Sequence, residues 1–412
     1  MNSFSFQKYF YSKNLKSSSF KNVANFDLFG YGAIFLYVLN PMPIYNNFHI
    51  SDLFIIVFFS FNFKEIINFT FKSSNYRRLL PFLYLFNLFS LIPGFYASDP
   101  IIHLIAVAQF SFVFFIQIPS LLLFIRDKSE KFLQISILGI ISAIFILLIF
   151  YIFNISFDNI FYYHRGFGAR TGISSIMDMG FLIGISIIMG HQLFIRKKIN
   201  RINFLFLIIL SICGLVLTAT RSAIGMVFIY FTILALTYPT AKKLRILISS
   251  SIILFSLNLL MISSENNPLR GNYERLLTVT KLSTFVKSDR FSQYSTIPDV
   301  LSKYPLGVGY NNYQIVYRNT PIHNIFLLIL VEGGIIPFIL FCSIWIVIIF
   351  SILFNNINDK RNLIAIILSY LFYISTVSNI YDRNFWLIVI YVIFMADLRY
   401  IIHNNSKKTL SV

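Results

Sequence analysis

Residues 290–334 hold the densest run of chemically useful side chains in this 412-residue sequence. Arg290 stands at its start, Pro305-Leu306-Gly307-Val308-Gly309 follows, and His323-Asn324 then leads to Glu332-Gly333-Gly334 inside an apolar segment. Polar, glycine-broken sequence set against a membrane span is costly to keep unless it is used. An imidazole takes a proton from a hydroxyl near neutral pH. Arginines, with their forked guanidinium groups, suit a dianionic or pyrophosphate ligand. On an unbroken helix Glu332 would face away from His323, nine residues earlier. Glu332 is therefore expected to meet a polar partner at the glycine pair rather than to work beside His323.

Other polar patches stand out from an apolar background. Thr218-Ala219-Thr220-Arg221-Ser222 reads as a tight turn between two spans, where Arg221 either snorkels to headgroups or, with the hydroxyl of Thr220, cradles phosphate oxygens. Arg165 and Arg170 flank a glycine-rich turn that could bring both towards one cavity, and a solvated loop is the plain alternative. Asp178 then lies inside an apolar run and needs a partner, for which an outward arginine is the natural candidate. Arg318 sits near the return of a long loop into the membrane. Gly307-Val308-Gly309 lacks the third glycine and the strand-to-helix setting of a dinucleotide loop, and no Walker loop, zinc spacing or nucleophile elbow is present. The outward acidic residues are not spaced to hold a divalent metal, so neither metal nor cofactor is expected. Cys213 and Cys342 fall in apolar runs and read as packing residues.

Of the chain, 57% is apolar, 12% charged and 18% aromatic, with mean hydropathy +0.73. Apolar runs of about 18 residues recur along the length, the mark of an all-α polytopic membrane protein. Spans are expected near 27–39, 50–63, 79–95, 101–125, 132–153, 172–194, 202–218, 222–238, 244–262, 322–354, 363–377 and 384–401, about twelve in all. The run 322–354 is overlong and breaks at Gly333-Gly334. The formal charge of +18 sits in short basic clusters between apolar runs, which fixes orientation rather than binding nucleic acid. Those clusters (the tail with Lys8, Lys13, Lys16 and Lys21, then 64–78, 126–131, 196–201, 242–245, 360–361 and the carboxyl end) all fall on one side of a twelve-span path. Both termini are thus expected in the cytoplasm, and the tail does not read as a removable signal. The 263–321 loop lies outside. Within it Leu276, Val279, Leu282 and Val286, then Phe291, Tyr294, Ile297 and Leu301, recur at helical spacing, with Pro298 set to kink or end the second helix. The whole chain, 1–412, reads as one integral membrane domain.

Three patches together resemble the O-antigen ligase and polymerase superfamily of bacterial envelope glycan assembly: Arg170-Thr171-Gly172, Leu217-Thr218-Ala219-Thr220-Arg221-Ser222, and the series Arg290, Pro305, Gly307, Gly309, Tyr313, His323-Asn324, Leu327, Glu332-Gly333. They fall within 165–352. The resemblance implies a multi-span enzyme of the bacterial cytoplasmic membrane with a large outward loop. It implies transfer of oligosaccharide from a polyprenyl-pyrophosphate donor to a glycan or lipid-core acceptor. Arg221 and Arg290 would grip the donor pyrophosphate, Arg170 would assist, and His323 would be the base, with Thr220, Asn324 and Glu332 in support. Asp178 stands where relatives often carry Asn. Polymerase and ligase both fit, and the lack of any pattern for a lipid core tilts towards polymerase. A flippase or transporter of lipid-linked oligosaccharide is the alternative from another class, and a peptidoglycan glycosyltransferase is a third.

Overall fold

The computed structural model describes residues 27–39, 43–45, 48–152, 173–218, 220–237, 289–317, 322–354, 360–377, 385–393 and 395. Arg165, Arg170, Arg318, both chain ends and the first amphipathic stretch of the 263–321 loop lie outside them, and the side chains of Asp178 and Arg290 are likewise not described. The described residues are helical apart from turns and a short antiparallel ribbon, β1 (Pro43–Tyr45) with β2 (Phe48–His49). The helices are α1 (Asp27–Leu39), α2 (Ile50–Phe61), α3 (Phe63–Lys72), α4 (Ser74–Phe89), α5 (Pro100–Phe112) and α6 (Ile118–Ile152). They continue with α7 (Ile173–Ile195), α8 (Arg201–Thr218), α9 (Arg221–Thr237), α10 (Asp289–Lys303), α11 (Tyr313–Tyr317), α12 (Ile325–Gly333), α13 (Ile335–Phe354) and α14 (Lys360–Ile374).

Among these, Asn75–Phe95, Pro100–Ile125 and Ile335–Phe354 are long and apolar enough to cross a membrane. Ser51–Phe61 and Phe63–Phe71, bent by 82°, make a fourth if they are one span. Two expected connections turn out to be helical. Residues 126–131 fall inside α6, because Arg-Asp-Lys-Ser-Glu-Lys contains no glycine or proline to interrupt the backbone ladder. Residues 64–78 form α3 and the first turn of α4, separated by Ser73, whose hydroxyl accepts from Tyr76 N–H at 3.4 Å and caps α4. Nor does α10 stop at Pro298; it runs on to Lys303, with Ile297 and Val300 buried in the core.

Between α5 and α6 the chain makes a π turn over Val113–Gln117, with Ile118 N–H donating to Val113 O. The next bond of that pattern would need an N–H from Pro119, which has none. Tyr76 Oη donates to Phe114 O at 2.6 Å instead, so the carbonyl left over by the proline is satisfied from α4.

The segment that holds the chemistry-bearing residues is organised by a backbone interlock. α12 ends at Gly334, whose φ of 85° and ψ of −179° suit glycine alone. The last carbonyls of a helix have no partner within it. Here Val331 O accepts from Val308 N–H at 3.1 Å, Glu332 O from Gly309 N–H at 3.0 Å, and Leu330 O from Gly334 N–H at 3.1 Å. The Gly307–Gly309 turn is thus a cap for a broken helix, with φ of 94° at Gly307 and 92° at Gly309. The contact is backbone on backbone. A Cβ on Gly307 would lie 2.5 Å from Glu332 O, and one on Gly334 would lie 2.4 Å from the carbonyl carbon of Leu306.

Gly307→Ala and Gly334→Ala should each destabilise the protein by about 3 kcal/mol or more, since a positive φ and a backbone clash coincide. Gly190→Ala meets the flexible end of Leu207 and should cost less than either. Thermal unfolding in detergent checks this; equal midpoints for all three variants would overturn the interlock as a source of stability.

Candidate functional site

His323 and Asn324 enter α12 from the opposite end to the interlock. Asn324 is the cap residue: its backbone is extended, its side-chain oxygen accepts from Leu327 N–H at 3.2 Å, and its carbonyl accepts from Leu328 N–H at 2.8 Å. His323 precedes the cap and is half-buried. It is therefore not on the α12 face pattern at all, and the helical spacing between His323 and Glu332 does not apply. Tyr294 of α10 donates its hydroxyl to His323 O at 3.3 Å. Residue 290 lies one turn before Tyr294 on the same face of α10, so the helix that bears Arg290 is the one that touches His323.

α10 is anchored on its other side. Thr296 Oγ1 gives its proton to Gln293 O at 2.8 Å, so in the 3.0 Å contact between Thr296 and Tyr313 the Tyr313 hydroxyl is the donor. Tyr313 stacks on Tyr317 at 5.3 Å between ring centroids. Burial raises the pKa of the Tyr317 phenol.

Glu332 is 2% exposed, and its neighbour is Tyr310. Burial pushes the Tyr310 phenol far above its ordinary range; the hydrogen bond with Ser90 opposes the shift, and Glu332 adds a smaller upward push. Tyr310 thus stays a neutral hydroxyl, 3.0 Å from Ser90 Oγ, and packs so closely on Gly333 that a Cβ there would lie 2.3 Å from Tyr310 Oη.

The connection between α4 and α5 forms a cradle for this loop. His103 Nδ1 accepts from Tyr310 N–H at 2.9 Å, and the two rings stack at 5.6 Å with 13° between planes. Asn312 brackets Asp99: Asp99 N–H donates to Asn312 Oδ1 at 2.7 Å, and Asn312 Nδ2 donates to Asp99 O at 3.2 Å. Asp99 itself caps α5 through Ile101 and Ile102 N–H. Sequence reasoning passed over His103, Tyr310, Asn312 and Asp99. Two signals pointed there: an ionisable residue, His103, inside an apolar span, and Asp99-Pro100 as a helix start.

Arg221 opens α9 and is exposed, while Thr220 before it is buried against α7, where a Cβ on Gly180 would lie 2.2 Å from its Oγ1. α9 packs principally on α14 and α7, and Arg361 of α14 donates to Thr237 O at 2.8 Å at its far end. Arg290, His323, Asn324 and Glu332 are thus linked through α10, α12 and the interlock, whereas Arg221 and Thr220 belong to a neighbouring helix group. Among the described residues no three His, Cys, Asp or Glu side chains converge as a metal-ligand group.

A family model described as O-antigen ligase matches residues 206–342, from within α8 to the start of α13. It takes in Arg221, Arg290, the interlock, His323 and Glu332, and it supports the resemblance to the O-antigen ligase and polymerase superfamily. No curated protein matches the chain.

Asn324→Ala should cost about 0.5–2 kcal/mol of stability through loss of the cap, and Asn324→Asp should retain most of it. Unfolding midpoints of the two variants, measured side by side, check this; a midpoint for Asn324→Ala equal to that of the unaltered chain would remove the capping role.

Proposed function

We infer that the chain is a glycosyltransferase of the bacterial cytoplasmic membrane, moving oligosaccharide from a polyprenyl-pyrophosphate donor to a glycan or lipid-core acceptor on the extracytoplasmic face. The observation that carries this reading is the contact of α10 with His323, which draws the helix of Arg290 to a half-buried imidazole inside the segment matched by the O-antigen ligase model. About twelve crossings, with both termini in the cytoplasm and 263–321 outside, belong to the same proposal, as does the restriction of the working motifs to 165–352.

The chemistry asks three things of the protein. The acceptor hydroxyl oxygen bonds to the anomeric carbon while the bond from that carbon to the phosphate oxygen breaks, and the polyprenyl pyrophosphate leaves with the bonding pair. Charge grows on the departing oxygens, and arginines fixed beside them stabilise it without having to reorganise. Arg221 and Arg290 take that role, with Arg170 assisting. His323 accepts the acceptor's proton. Asn324 holds the backbone that presents His323, and Thr220 seats the start of α9 under Arg221. Glu332, with its carbonyl in the interlock and its side chain buried, supports the far end of α12. Alignment of the acceptor with the anomeric carbon supplies the remaining rate.

The break at Gly334 also suits a flippase or transporter of lipid-linked oligosaccharide, since carriers use broken helices to coordinate cargo through freed carbonyls. Here those carbonyls already accept from Val308, Gly309 and Gly334 N–H. That weighs for transfer chemistry over transport.

Purified protein incubated with a polyprenyl-pyrophosphate oligosaccharide and each acceptor should form new glycosidic bonds. A ladder of products identifies a polymerase and a single addition a ligase, whereas movement of intact donor across vesicles with no new bond would overturn the enzyme reading. Arg221→Ala and Arg290→Ala should abolish product with insertion intact; full activity in both removes the phosphate site. His323→Ala should slow turnover roughly 10²–10⁴-fold, and near-normal turnover would leave His323 a packing residue.

A further inference from the structure

Helix α3 meets three different surroundings around its circumference. Ile66 is 1% exposed and turned to the bundle, flanked by half-buried Phe69 and Thr70, where α3 packs on α6 and α4. Phe63, Ile67 and Phe71 recur every fourth residue and are 50%, 38% and 61% exposed. Lys64, Glu65 and Asn68 form a third, polar and exposed stripe. At roughly 100° per residue these stripes are centred roughly 110–140° apart.

That partition selects one placement. A helix standing in water would leave the Phe63–Ile67–Phe71 stripe uncovered, and one deep in the bilayer would bury Lys64 and Glu65 in hydrocarbon. A helix lying along the bilayer surface beside a bundle has protein on its flank, acyl chains beneath and water above. The 82° bend between Ser51–Phe61 and Phe63–Phe71 turns α3 aside from α2, and Asn62 at the corner donates its side-chain amide to Phe58 O at 2.9 Å. Ser73 then caps α4, whose apolar stretch is long enough to cross. Lys64 is joined by Arg77 and Arg78, both exposed in the first turns of α4, and Glu65 is the single acid in 63–78. Such a cationic border favours anionic headgroups.

We propose that α3 is a docking surface for an anionic phospholipid leaflet, with Phe63, Ile67 and Phe71 among the upper acyl chains and Lys64, Arg77 and Arg78 on the phosphates. The surface is independent of the transfer chemistry, and its test does not read activity.

Spin labels at Ile67→Cys, Asn68→Cys and Phe71→Cys, each with Cys213 and Cys342 replaced by alanine in the full chain, report depth through collision with oxygen and with an aqueous nickel chelate. Labels at 67 and 71 should lie about 5–10 Å below the headgroup boundary, and the label at 68 should face the chelate. Labels at 67 and 71 found at the bilayer centre, or as open to the chelate as 68, overturn the placement. On the unaltered chain, which needs no engineered cysteine, spin-labelled phosphatidylglycerol should be immobilised at least about two-fold more than phosphatidylcholine. The preference should fall to parity in the Lys64→Gln, Arg77→Gln, Arg78→Gln variant. Equal immobilisation of both lipids by the unaltered chain overturns the anionic assignment.

Discussion

A helix that stops beside a bilayer leaves carbonyls with no water to receive them, and at Gly334 a second stretch of backbone meets that need. The N–H groups of Val308 and Gly309 reach the carbonyls of Val331 and Glu332. At two points of this contact the backbones leave no room for a Cβ. Added Cβ atoms on Gly307 and Gly334 would collide with main chain, and one on Gly333 with the Tyr310 hydroxyl. In a low-dielectric setting such bonds are worth more than in water, and their loss costs more.

The interlock gives α12 two distinct ends. One is fixed to the 304–313 loop, which is itself fixed to α5 by the Tyr310–His103 stack and to the α4–α5 connection by the Asn312–Asp99 bracket. The other carries Asn324 and His323, held by α10 through Tyr294. A half-helix clamped at both ends holds the residues that flank it at set positions. The supports at Ser90, Asp99 and His103 lie outside the residues matched by the O-antigen ligase model, whereas the proposed reacting groups other than Arg170 lie inside it.

Charge is placed by a similar logic. Arg221 and Arg290 both sit at helix starts, where the backbone already favours anions, and guanidinium groups there add to that field. At α3 the cations border an apolar stripe instead. The two settings differ in what lies beside the cations, a helix start in one and exposed apolar side chains in the other.

The helical, membrane-bound character of the chain, the positions of helices such as α8, α9 and α10, and the break at Gly333-Gly334 were all legible in the amino-acid pattern. These follow from apolar periodicity and glycine, which act over one or two turns. It also marked His323, Asn324, Arg290 and Arg221 by type. What it left undetermined was their partners. Nothing local in Gly307-Val308-Gly309 says that its N–H groups close a helix end more than twenty residues later. Nothing in His103 says that its ring supports Tyr310, more than two hundred residues away. Lys64–Arg78 reads as a basic connection until Ile66 is seen packed on α6 and α4, which makes α3 a three-faced helix. The folded chain sets each of them, as a pairing of backbone or buried polar groups distant in sequence or, for Ile66, as burial of an apolar side chain against other helices, and neighbouring residues do not specify which surfaces exclude water.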